Sequence, residues 1–143
     1  MTSCMTSSPP LTEPVRLERD RWRGGEAERF HDDEPGPAAV EAAVRALDQR
    51  QHTEVVVTGH DGQYLAIEGG AGRYTVHLGS DEHDDVIVVC APDAPVGDAL
   101  LVAAGRVRRV PRRRIVDLDT VLCALRTFLA DGHPDGTLCW ESG

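Results

Sequence analysis

The densest group of side chains able to do chemistry is Asp81-Glu82-His83-Asp84-Asp85. Carboxylates beside an imidazole can ligate a divalent cation. The run lacks the spacing of a calcium loop, so a solvated turn is the plainest reading, a partner-facing acidic patch the next, and a metal site the least favoured. A second group is cationic: Arg106, Arg108, Arg109, Arg112, Arg113 and Arg114. Such a stripe could hold phosphate, but no aromatic residue interleaves with it as single-strand binding would require. Pairing with acids on neighbouring strands, or solvation, is the favoured reading.

The remaining candidates are weaker. His31, His52, His60, His77, His83 and His133 form neither an HExxH pattern nor a Cys/His ligand pair, and read as surface residues. Cys90, Cys123 and Cys139 read as buried, inert thiols, because a nucleophile would need a positioned histidine that the sequence does not reveal. With Cys4 they are widely scattered, so no disulfide framework is expected. Gly69-Gly70-Ala71-Gly72 lacks the lysine and hydroxyl of a phosphate loop and reads as a turn. Trp140-Glu141 is either a core anchor with an exposed acid or an interface aromatic with its charge. No residue is assigned a catalytic, cofactor-binding or metal-binding role. The candidate partner interface is Asp81, Glu82, Asp84, Asp85, Trp140 and Glu141.

Residues 1–14, rich in Thr, Ser and Pro, read as a flexible tail, and 15–143 as a single domain. Val15 to Trp22 is a short strand broken by Gly24-Gly25, and Gly24 to Gly36 reads as a polar loop. Pro37 opens a helix to Gln51, with Val40, Ala43, Val44 and Leu47 on one face. Glu54–Thr58 and Gln63–Glu68 make a hairpin across Asp61-Gly62. Arg73–Leu78 alternates as a half-buried strand, Gly79 to Asp85 is an acidic turn, and Val86–Cys90 is an apolar interior strand. Ala99–Ala104 and Arg106–Val110 turn at Gly105. Asp117 caps a second helix whose stripe of Leu118, Val121, Leu122, Leu125, Phe128 and Leu129 ends at Gly132, with Pro134 beyond. Thr137–Glu141 closes the chain as a strand. This order predicts an α+β fold: an antiparallel sheet with two helices packed on one face.

With 143 residues and 41% hydrophobic content the chain can bury a core unaided by disulfides or metal. Only 4% is aromatic, so that core must be aliphatic. The formal charge of −9, with all 15 basic residues Arg, disfavours nucleic acid and anionic membranes and favours a basic partner. The first residues lack a basic start and apolar run, and no segment approaches membrane-spanning length; the expectation is a cytoplasmic protein.

From Gly105 onward the residues resemble a known family. Val110-Pro111, Ile115-Val116-Asp117-Leu118, Ala124-Leu125-Arg126-Thr127-Phe128-Leu129-Ala130-Asp131-Gly132, Pro134 and the closing Trp140-Glu141 are similar to the tail of immunity protein family one, from bacterial polymorphic toxin systems. The likeness spans about residues 37 to 141, and its specific part is the last third. It implies an α+β immunity protein, not an enzyme and without a cofactor, that neutralises a cognate toxin by tight binding. Such toxins are often nucleic-acid deaminases, and a toxin of that kind presents the basic surface an acidic inhibitor would occlude. The alternative is a non-catalytic regulatory or adaptor domain with another protein partner. An enzyme built around Cys90 and a nucleic-acid binder using the Arg stripe are the remaining readings.

Overall fold

The structure, a computed structural model, describes residues 16–33, 35–59 and 62–143, with the side chains of 83 and 84 left aside. The tail at 1–14 and the turn residues His60 and Asp61 lie outside the described residues. The strands are β1 (Arg16–Arg23), β2 (Glu26–Asp32), β3 (Glu54–Thr58), β4 (Gln63–Gly70), β5 (Arg73–Ser80), β6 (His83–Cys90), β7 (Asp98–Ala103), β8 (Arg106–Pro111) and β9 (Cys139–Ser142). The helices are α1 (Pro37–Arg45) and α2 (Leu118–Asp131). Seven strands form an antiparallel sheet in the order β2-β1-β3-β4-β5-β6-β9; β7 and β8 pair separately.

Register puts the apolar side chains on one face. Leu17, Val57, Leu65, Leu78 and Ile87 are successive cross-strand partners across five strands. They pack in one core with Val40, Ala43 and Val44 of α1 and Val121, Leu122, Leu125 and Phe128 of α2. The expected α+β arrangement, two helices on one sheet face, is therefore the one observed. Each Val or Leu buried this way contributes roughly 1.5–3 kcal/mol, which lets an aliphatic core replace the missing aromatics. α2 keeps its expected ends: Asp117 accepts a hydrogen bond from the Thr120 N–H at 2.9 Å, and Gly132, at φ 76°, closes the helix in the left-handed conformation.

Three expectations are corrected. Glu26 to Asp32 is a strand, not a loop: Gly24-Gly25 forms a two-residue turn that folds β2 back onto β1, with Arg23 opposite Glu26. α1 stops at Arg45 and does not run to Gln51, because the Asp48 carboxylate accepts the N–H groups of Arg50, Gln51 and His52 at 2.8, 3.0 and 3.0 Å and bends the chain. The β5–β6 turn is only Asp81-Glu82, so Asp84 and Asp85 already belong to β6.

The sheet's second face is partly roofed by the β7–β8 hairpin. Leu101 and Ala103 of β7 are buried between the hairpin and the sheet, Arg108 reaches Glu68 at 4.0 Å, and the Gly105 N–H donates to Thr53 Oγ1 at 2.9 Å. A side chain at Gly105, whose φ is 77°, would run into the Trp22 ring, so glycine is required where the hairpin tip meets β1.

Candidate protein-binding surface

Two short turns place the acidic group at one end of the sheet. The Asp81 N–H donates to the Gly62 carbonyl at 3.0 Å, tying the β5–β6 turn to the β3–β4 turn, and the Glu82 N–H donates to Ser80 Oγ at 3.2 Å. Asp81, Glu82 and Asp85 are exposed, and none of the ion pairs among the described residues involves them. Asp85 borders a shallow pocket of about 240 Å³ whose floor is Leu78, Gly79 and Ile87, and whose far wall is Gly132, His133 and Pro134 just past α2. The helix stop read from sequence as punctuation is thus also a wall beside the acidic turn. The pocket itself was not foreseen, because it joins β4, β5, β6 and the end of α2.

Trp140 and Glu141 sit elsewhere, on β9. Trp140 packs against the core from the helix side, and its Nε1–H donates to the Asp135 carbonyl at 3.0 Å. Glu141, on the opposite face, pairs with Arg113 and, at 2.8 Å, with Arg114. The Arg114 hydrogen bond, then that of Arg113, holds its carboxyl below the usual range against the opposing effect of desolvation. The structure therefore does not bring these two residues together with the acidic turn.

Asp135 organises the same corner. Wholly buried, its carboxylate accepts hydrogen bonds from Thr127 Oγ1 and Thr137 Oγ1, each at 2.5 Å, from the Thr137 N–H at 2.8 Å and from the Cys123 thiol at 3.4 Å. Burial pushes its pKa up, but these donors outweigh burial and hold it at about 2. Asp20, also buried, accepts from Trp22 Nε1, the Thr53 N–H and Oγ1, and the Glu54 N–H at 2.8, 2.8, 2.5 and 3.0 Å. Neither acid stood out in the sequence: Asp20 draws on Thr53 and Glu54 of a distant segment, and the donors to Asp135, though near it in the chain, converge only once α2 and the turn before β9 have folded together.

The arginine stripe divides. Arg108, Arg113 and Arg114 pair within the protein, as expected, whereas Arg106, Arg109 and Arg112 are exposed and make none of the ion pairs found. The large apolar side chains left exposed lie on the same hairpin or just before it: Val96, Leu100 at 61% and Val107 at 66%. Two further expectations fail. His77 is half-buried on the sheet's second face, where burial, then Arg114 and Arg108, push its pKa down. Cys139 is exposed, not buried.

Among the described residues no group of three or more His, Cys, Asp and Glu is placed to hold a metal ion, and no helix is long and apolar enough to cross a membrane. The profile of the family described as Immunity protein Imm1 matches residues 33–142. The chain belongs to the Imm1 immunity protein family. No curated protein matches the sequence. The match takes in α1, α2, β3 to β9 and the Trp140-Glu141 ending, and leaves β1 and β2 outside it. Membership in Imm1 identifies an immunity protein, one that acts by binding a toxin.

Proposed function

We propose that this Imm1 protein neutralises a cognate bacterial toxin, of the nucleic-acid deaminase class, by binding over its active site without catalysing a reaction itself. The observation that carries the reading is the family match across residues 33–142, together with the acidic end it contains. A toxin that acts on DNA or RNA must carry cationic side chains to hold phosphate, and these are the natural targets of an acidic inhibitor.

The pocket beside Asp85 suits such a side chain. An Arg or Lys inserted there would lay its aliphatic stem along Leu78, Ile87 and Pro134 and bring its charged head to Asp85, near Asp81 and Glu82. Carboxylates without an internal partner lose no existing ion pair when they bind, and they steer a cationic surface from a distance. Asp84 lies on the same strand, β6. Trp140 and Glu141 contribute by holding β9 in place. A cytoplasmic location, where a toxin active on nucleic acid would have to be intercepted, fits this role.

A second reading has its own observation. The exposed Leu100 and Val107, with Arg109 directly opposite Leu100, have the composition of an interface core bordered by arginine. On that reading the hairpin, not the acidic end, meets the toxin or another regulatory partner.

The test is co-expression with the product of the adjacent toxin gene, followed by binding measurements at rising salt. The acidic-end reading expects rescue of growth and an association rate that falls steeply with ionic strength. Unrelieved toxicity with no measurable complex would overturn it. Rescue abolished by Leu100→Asp/Val107→Asp but unaffected at the acidic turn would transfer the interface to the hairpin.

A further inference from the structure

Two cysteines face each other at the end of the main sheet. Cys90, the last residue of β6, is the direct cross-strand partner of Cys139, the first residue of β9. Directly opposed residues of an antiparallel pair stand roughly 4.5–5.5 Å apart at Cα. That lies inside the range of about 4.4–6.8 Å over which a disulfide forms without backbone movement. Because paired residues project to the same sheet face, the two thiols share one side of the sheet. Cys90 is buried, and Cys139 is open to solvent.

We propose that Cys90 and Cys139 are a redox pair, which a peroxide-class oxidant converts to a reversible disulfide stapling the C-terminal strand β9 to β6. The exposed thiol reacts first. The Cys139 thiol gives up its proton, its sulfur attacks one peroxide oxygen, the O–O bond breaks, and Cys139 becomes a sulfenic acid as the other oxygen takes up that proton and leaves as water. The Cys90 sulfur then attacks the Cys139 sulfur, the S–O bond breaks, and the hydroxyl departs with the Cys90 proton as a second water. Two thiols and one peroxide give one disulfide and two waters; the thiols lose two electrons and the peroxide gains them.

The environment sets that order. Burial, then the hydrogen bond with Cys139, pushes the Cys90 thiol up to about 11, so it is a poor first nucleophile. Confinement opposite the oxidised partner makes it an effective second one. Arg113, whose carbonyl accepts from the Ala91 N–H at 2.5 Å, stands beside Cys90, where its charge works against the rise that burial, Cys139 and Glu141 impose on that thiol.

The consequence falls on one edge of the sheet. β9 has four residues, pairs only with β6, and is held further by the Gly143 N–H to the Val86 carbonyl at 2.7 Å and by the pairing of Glu141 with Arg113 and Arg114. A covalent link from 90 to 139 closes a loop that includes β7, β8 and α2, and so removes conformational freedom chiefly from the unfolded chain. Oxidation would thus stop β9 fraying while leaving the acidic turn unchanged.

The experiment uses the full chain, reduced and then exposed to hydrogen peroxide, with thiols alkylated after denaturation and mapped by non-reducing digestion. The expected result is a monomer lacking two hydrogens, with Cys90 and Cys139 joined in one peptide pair and both thiols regenerated by dithiothreitol. Oxidation should raise Tm by roughly 5–10 °C and slow amide exchange along β9. In Cys90→Ser, Cys139 should instead accumulate as a sulfenic acid trapped by dimedone, and Cys139→Ser should show no oxidation-dependent rise in Tm. Full alkylation of both residues after peroxide, a bond to Cys4 or Cys123, a dimer linked through Cys139, or Cys139 sulfinic acid beside a free Cys90 would each overturn the proposal.

Discussion

Two sets of carboxylates occupy opposite regimes in this molecule. Asp20 and Asp135 are sealed inside, 2% and 0% exposed, and each gathers hydrogen bonds that tie separate elements together. Asp81, Glu82 and Asp85 stand in solvent and make none of the ion pairs among the described residues. The buried set spends its charge on the fold, joining β1 to the approach of β3, and the end of α2 to the approach of β9. The exposed set leaves its charge free for a partner. If that division is right, substitutions in the first set should change stability, and substitutions in the second should change binding alone.

The largest effect belongs to Asp20→Ala. It strands the Trp22 indole N–H, the Thr53 N–H and hydroxyl, and the Glu54 N–H around a buried cavity. Unsatisfied buried donors cost about 1–3 kcal/mol each, partly relieved by water entry, so the expected loss is on the order of 3–5 kcal/mol. Chemical denaturation at neutral pH measures it. A loss below about 0.5 kcal/mol, the scale of an ordinary surface substitution, would place Asp20 among the expendable acids.

Asp135→Asn is the next largest and adds a pH signature. The folded carboxyl titrates at about 2, against about 3.9 in an unfolded chain. A carboxyl lowered by folding contributes stability that is fully present above the unfolded value and is lost as pH falls through the folded one. The window is therefore about pH 4 down to 2, and the contribution at neutral pH is about 2 kcal/mol. Urea denaturation of wild type and Asp135→Asn should show a gap of that size at pH 7 that closes towards pH 2. A gap independent of pH would mean that the substitution acts through packing and not through the charge.

How much of this was legible follows the same physics. The second helix could be read end to end, because Asp117, the stripe from Leu118 to Leu129, and Gly132 are local signals that the tertiary structure does not contradict. β2 was missed because period-two alternation reports burial, and Glu26 to Asp32 has no buried residue to alternate with. What makes it a strand is pairing with β1, with Arg29 reaching Glu18 at 3.6 Å and Glu54 at 3.2 Å, and Arg19 lying 4.9 Å over the Phe30 ring. The end of α1 depended on a single side chain, Asp48, choosing the backbone beyond it. Of the interface candidates, the acidic turn was visible as local density. The pocket beside it was not, since Leu78, Ile87 and Pro134 meet only through the sheet and the stop of α2. Asp20 and Asp135 carried no signal, because an acceptor's importance lies in donors that other segments supply.

The smallest expected effect on stability, and the most informative, is at the acidic turn. Asp81→Asn/Glu82→Gln/Asp85→Asn removes three charges that make no ion pair among the described residues, and it leaves intact the backbone bond from Asp81 to Gly62. Stability should shift by no more than about 0.5 kcal/mol in either direction, since surface substitutions away from caps and buried networks rarely do more. Binding should respond very differently. Each lost contact to a cationic side chain costs on the order of 1 kcal/mol or more, so toxin affinity should fall about tenfold or further. The loss should appear first in the association rate at low salt and shrink as salt is added, because exposed charges act over a screening length of about 10 Å at 0.1 M. An unfolded variant would mimic weak binding at every salt concentration, and the unchanged Tm separates that case. A variant of full stability and full affinity would show that the unpaired carboxylates are only solvated, and would leave the apolar, arginine-bordered face of β7 and β8 as the surface that meets the toxin.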